Sequence, residues 1–307
     1  AWLGEWAINL GVSTLMFAVF ITLLYAVIRI AKASWWMWGT ALSVLFLGFM
    51  LFLSPIYIDP LFNDYQPMEA GELRDDILAV AHANGIPADD VYVFDVSRQS
   101  NRITANVAGL FDTTRIALSD TLIENTDRDE VMAVMAHEMG HYVLNHLWEM
   151  FAMFALLLAV GFAITNGLFG WTNRVLGQSW GVSGIGDVAG LPLLIACLSV
   201  FFFAATPIFN TIIRTNEAEA DIFGLNAARE PDGFATAALR LSSYRKIEPG
   251  ALEEWFMFDH PSGRARVFMA MQWKAGQLEL GATDQTPDLR IDRAEAIAAE
   301  LEAANAE

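Results

Sequence analysis

Four apolar runs set the first limit on how this chain can fold: Ala7 to Ile28, Trp36 to Ile58, Met150 to Phe169 and Val188 to Ile213. None of them contains a charged residue. A hydrocarbon core of about 30 Å takes roughly 20 helical residues to cross, and each run reaches that length. Tryptophans gather near their ends (Trp6, Trp35, Trp36, Trp148, Trp171), where an indole buries its ring and keeps its N–H in the headgroup layer. Buried helices of a soluble protein are the alternative, and helices of this length and uniform apolarity argue against it. Pro207 is expected to kink the fourth run. The opening Ala1, in place of methionine, implies that something upstream has been removed.

The runs divide the chain into residues 1–58, two spans and a short turn; 59–149, a polar region; 150–213, two further spans; 214–292, a second, mainly helical polar region; and 293–307, an acidic Ala/Glu tail. Alternation across a bilayer puts the two large polar regions on one side. Basic residues flank both sides, so they do not decide orientation. The net charge of −18, from 36 acidic against 18 basic residues, makes those polar regions acidic and argues against a nucleic-acid partner. Cys197 is the single cysteine and lies in an apolar run, which excludes an intrachain disulfide.

Within the first polar region, Leu73, Ile77, Leu78 and Ala81 have helical spacing, predicting a helix over 69–84 that stops at Gly85. Val91 to Phe94 reads as a strand, and Arg102 to Leu110 with Thr114 to Leu118 as a hairpin around Asp112-Thr113. A helix starting at Asp127 then runs through His137-Glu-Met-Gly-His141, and no proline interrupts it before the third span. The expected fold is a mainly α, polytopic membrane protein with four transmembrane helices and an α+β domain carrying a small β-sheet.

Four residues apart on a helix, His137 and His141 project from one face, so two imidazoles can bind one ion. Glu138 is then placed to hydrogen-bond a water held by that ion without itself ligating, which is why this spacing serves peptide hydrolysis. Two exposed histidines on a helix are the bland alternative. A catalytic zinc needs a third protein ligand. His146 follows His141 by five residues, the wrong spacing for a ligand, and reads as a local polar contact. The better candidate is Glu217, in Arg214-Thr-Asn-Glu-Ala-Glu-Ala-Asp221, with Asp221 one turn on to accept a hydrogen bond from the far nitrogen of a ligand histidine. Glu219 points away and reads as solvated. An acidic helix start would give the same letters.

HEMGHYVLNH, followed two spans later by RTNEAEAD, resembles the type-I CAAX prenyl endopeptidases of the a-factor-converting type, membrane gluzincins. SPIYIDPLFNDYQPMEAGELR, VYVFDVSRQS, GLFDTTRIALSDTLI and DHPSGRAR extend the likeness in the same order. The resemblance implies one zinc ion held by His137, His141 and Glu217, with Glu138 as general base and Asp221 behind the ligands. It also implies a substrate-lining strand at Ala105 and Asn106, where Thr104 replaces an expected asparagine, and residues near the reacting carbonyl at His260 and Arg266. A loop cap or an ion pair with one of the many carboxylates would explain His260 and Arg266 equally well. The family has further spans upstream, and it implies a cytoplasmic catalytic side.

The expected activity is an integral-membrane zinc metalloendopeptidase that processes C-terminal or lipid-modified tails and works in contact with membrane lipid. A quality-control protease like the heat-shock membrane protease HtpX, acting on membrane-embedded proteins, is the alternative. A non-catalytic zinc scaffold is the reading from another class, and the lack of a cysteine-rich closed site weighs against it.

Overall fold

The computed structural model describes residues 2–109, 114–242 and 246–280. The expected turn at Asp112-Thr113 and the tail 293–307 lie outside them. The chain forms two compact units: Ala1–Phe62 with Trp148–Ile208, and Asn63–Leu147 with Phe209–Glu307.

The first unit is built from α1 (Trp2–Ala31), α2 (Trp35–Leu53), most of α6 (His146–Trp180) and the first part of α7 (Leu191–Ala228). Three stretches among the described residues are long and apolar enough to cross a membrane: Trp6–Leu51, His146–Gly177 and Val188–Ala228. The first two expected spans thus fall within one stretch of 46 residues. As a single helix it would reach about 69 Å, more than twice the thickness of a hydrocarbon core. Instead it breaks at Lys32–Ser34, where Lys32 takes φ 51°, and folds back. Phe20 then meets Phe46, and Gly39 leaves room for Leu24.

Leu24, Ile28, Trp35, Phe162, Phe169, Leu194 and Cys197 form the core of this unit, and Trp35 Nε1 donates to Asn166 Oδ1 at 2.6 Å. Leu45, Leu156 and Phe203 point outward and are exposed, the reverse of a water-facing surface. Pro207 lies inside α7, which continues through it.

The second unit carries a four-stranded sheet in the order β1 (Tyr65–Pro67), β2 (Val91–Phe94), β4 (Arg115–Ser119), β3 (Ala105–Ala108). β3 and β4 are antiparallel, as a hairpin requires, whereas β2 and β4 are parallel. That leaves β3 on an edge. Helices α3 (Glu72–Ala83) and α5 (Arg128–Val143) pack on the sheet through Ile77, Ile116, Leu118, Met135 and Met139, all fully buried. α4 (Asp120–Asn125) leads into α5. Helix α5 starts on a reciprocal cap: Asp127 Oδ1 accepts from Glu130 N, and Glu130 Oε2 from Asp127 N. The other Glu130 oxygen takes Arg240 Nε at 2.6 Å from α8 (Pro231–Leu241). α9 (Ala251–Met257) and α10 (Gly263–Glu279) complete this unit.

The expected uninterrupted helix from Asp127 into the third span does not form. α5 ends at Val143, and Asn145 adopts φ 61° before α6 starts at His146. Asparagine tolerates the left-handed region better than most residues, so it can end a helix without a glycine.

Candidate metal centre

His137, Glu138 and His141 come from α5, Glu217 and Asp221 from the last turns of α7. Two glycines let these helices touch backbone to backbone. A Cβ at Gly140 would lie 3.0 Å from Ala220 Cα, and one at Gly224 would lie 3.0 Å from His137 N. Gly140 is the fourth residue of HEMGH, so the motif carries its own packing contact.

At this crossing His137 Nε2 and His141 Nε2 are 3.2 Å apart. His137 Nε2 is 3.3 Å from Glu217 Oε2, and His141 Nε2 is 3.4 Å from Glu217 Oε1. A tetrahedral ion with bonds of about 2.0 Å needs ligand atoms about 3.3 Å apart; each histidine nitrogen stands near that distance from the other and from one oxygen of the Glu217 carboxylate, a different oxygen for each. Among the described residues these three form the group of histidine and carboxylate donors able to hold a metal ion.

Charge favours a cation at the same point. Burial alone would lower the His137 imidazole, but Asp221 and Glu217 outweigh it and hold it up at about 10. Burial and the neighbouring His137 hold His141 down at about 4. Two carboxylates thus demand positive charge between two imidazoles, a condition that a divalent ion meets. The residues present fit zinc in donor type, number and spacing.

His137 Nδ1 lies 2.8 Å from Asp221 Oδ1. Asp221 is fully buried and receives both Arg266 Nε at 2.9 Å and Arg266 Nη2 at 2.5 Å. Arg266 also sits over the Phe234 ring. Its guanidinium is therefore engaged with a carboxylate, the ion-pair alternative that the sequence left open.

Glu138 lines a cavity of about 280 Å³ together with His137, His141, Glu217 and His260. Burial pushes its carboxyl up to about 7; His137 opposes that rise, Glu217 adds to it, and Arg266 opposes it. His260 Nε2 is 3.5 Å from Glu217 Oε2 and its Nδ1 is 2.9 Å from Asp259 Oδ1. The segment bearing His260 is tied to α7. Asn210 Nδ2 donates to Phe256 O at 2.6 Å, and Arg214 donates to the carbonyls of Glu254 and Phe258.

Ala105 lines the cavity with Ile103 and Thr104. Asn106 follows on β3, and its Oδ1 is buried without a hydrogen-bond partner among the described residues. Ser119 N donates to Thr104 O, so by antiparallel alternation the backbone groups of Ala105 and Val107 face the open edge.

His146 makes a local polar contact, as expected, but with partners that sequence reasoning did not name. His146 is buried, with Nδ1 2.9 Å from His141 Nδ1 and Nε2 3.3 Å from Glu219 Oε2. Helical geometry sends both residues elsewhere, and the Asn145 reversal is what brings His146 back.

A helix-borne pair of histidines and a glutamate from a second helix, beside a buried carboxyl, define a metallopeptidase-type site, and the chain also carries three stretches long and apolar enough to cross a membrane. The chain belongs to peptidase family M48, whose sequence pattern matches residues 67–274. It is 33% identical to the uncharacterized metalloprotease YhfN of Bacillus subtilis, over 87% of this chain and 63% of that one. It is 36% identical to the CAAX prenyl protease 1 homolog of Arabidopsis thaliana, over 73% of this chain and 54% of that one. The chain thus spans between half and two thirds of the length of these curated relatives. The crystal structure of S. mikatae Ste24p shares the fold, with a TM-score of 0.73 at 22% identity, covering 87% of this chain and 65% of that one.

Proposed function

We propose that this chain is a zinc metalloendopeptidase that cuts an extended peptide beside the membrane. The observation carrying the reading is the convergence of His137 Nε2, His141 Nε2 and the Glu217 carboxylate on one point, with Glu138 beside it in the cavity wall. His137, His141 and Glu217 would hold the ion; when bound, zinc supplies Lewis-acid polarisation and makes water a stronger acid.

Glu138 takes a proton from the attacking water and returns it to the leaving amine, a task suited to a carboxyl held at about 7. Asp221 orients His137, and Arg266 in turn orients Asp221. His260 is the residue we assign to the developing oxyanion, since it lines the cavity and is fixed from α7. The open edge of β3 binds substrate by backbone pairing, with Ala105 and Asn106 on the strand that receives it.

We assign as substrates C-terminal or lipid-modified tails. The names CAAX prenyl protease 1 and its homologs among the relatives support this, and the apolar helices are consistent with a substrate arriving from the bilayer. Glu138→Gln should keep one zinc per chain and lose about 10²- to 10⁴-fold in cleavage of a prenylated CAAX peptide. Cleavage by that variant at the wild-type rate would remove Glu138 from the mechanism. An unfolded membrane protein cut in preference to the prenylated peptide would move the assignment to quality control.

A further inference from the structure

We propose that His146 and Glu219 are positioning residues that lock His141 in its ligating tautomer through two hydrogen bonds running in one direction. The inference rests on the reading that His137, His141 and Glu217 hold zinc.

Binding through Nε2 requires the lone pair of His141 there, and Nε2 is the nitrogen facing His137 and Glu217. The proton of a neutral His141 is then on Nδ1. That nitrogen lies 2.9 Å from His146 Nδ1, with the two rings 70° apart in plane. Two ring nitrogens at that distance share one proton, so His146 Nδ1 accepts and its own proton moves to Nε2. His146 Nε2 faces Glu219 Oε2 at 3.3 Å, and an ionised carboxylate only accepts. Every group has one consistent role. The opposite tautomer of His146 would set two N–H groups against each other and leave the carboxylate facing a lone pair.

The two histidine ligands are therefore backed differently. His137 meets the buried Asp221 directly, whereas His141 is backed through His146, itself buried, by a glutamate whose side chain is 54% exposed. The intermediate imidazole carries the anion's influence inward from the surface. Outer partners of this kind fix ring orientation and raise ligand basicity.

The test compares wild type, His146→Ala, His146→Gln and Glu219→Ala as purified full chains. Zinc affinity would be read by competition with a chromophoric chelator, and ligand geometry from the visible absorption of the Co²⁺-loaded protein. His146→Ala should weaken zinc binding about 10- to 100-fold and alter the cobalt band. His146→Gln, whose amide oxygen can accept the His141 proton, should recover much of that loss; Glu219→Ala should show a smaller loss in the same direction. Because Glu219 is exposed, its variant remains informative if His146→Ala fails to fold.

The inference is overturned if the folded alanine variants match wild type in affinity and spectrum, or if His146→Gln is as weak as His146→Ala. Wild-type protein that takes up no stoichiometric zinc would sink the metal reading itself. Normal wild-type uptake with unchanged variants would sink only the role of His146 and Glu219.

Discussion

Glu138 is held where its protonated form is favoured, and that has a cost separable from catalysis. Its carboxyl stands at about 7 in the folded chain against an ordinary 4.5. A raised carboxyl pKa favours folding fully below the unfolded value, and the advantage is lost as pH climbs through the folded one. Without metal, stability should therefore fall by up to about 3 kcal/mol between pH 4.5 and pH 7 on account of this group. Glu138→Gln should remove that slope. Melting temperatures of chelator-treated protein at pH 5 and pH 8 check it, with the variant expected to gain on wild type only at pH 8. Asp221 behaves oppositely, because it answers a buried guanidinium and an imidazole at once. Asp221→Asn should cost about 3–5 kcal/mol in a denaturation series and weaken zinc binding, since Arg266 is left buried without its anion.

Among the elements, α5 and α7 matter most, and their contact is set by absent side chains. Gly140→Ala or Gly224→Ala introduces a Cβ at 3.0 Å from the facing backbone, which must move the helices apart. Each should reduce zinc affinity while helical circular dichroism is retained, and unchanged affinity would show that the crossing tolerates the methyl group. The same elements show what the sequence makes legible. The i, i+4 spacing of His137 and His141, and of Glu217 and Asp221, is local, so one helix period suffices to put each pair on one face. The cap at Asp127 and the start of α5 are equally local. Parallel pairing of β2 with β4 is set by chain segments about 20 residues apart and leaves no periodic trace. The return of His146 was hidden for another reason: one residue in the left-handed region cancels the rotation that counting along a helix assumes.

At the scale of the whole molecule, two polar segments are expected on one face of a membrane, and the lone cysteine makes that measurable. Cys197 is buried among apolar side chains, so a Cys197→Ser background should fold. On it, Glu72→Cys and Glu253→Cys should both react with an impermeant maleimide added to one and the same side of the membrane. Opposite labelling of the two would break the proposed arrangement. The backbone contact at Gly140 and Gly224 adds a consequence for the protein's lifetime. An ion gripped by α5 and α7 together acts as a removable cross-link, and at a thousandfold excess over its dissociation constant it adds about 4 kcal/mol to the folded state. On the proposed zinc reading, metal supply governs turnover as well as activity: a cell short of zinc would lose the protein to degradation, not merely hold it idle.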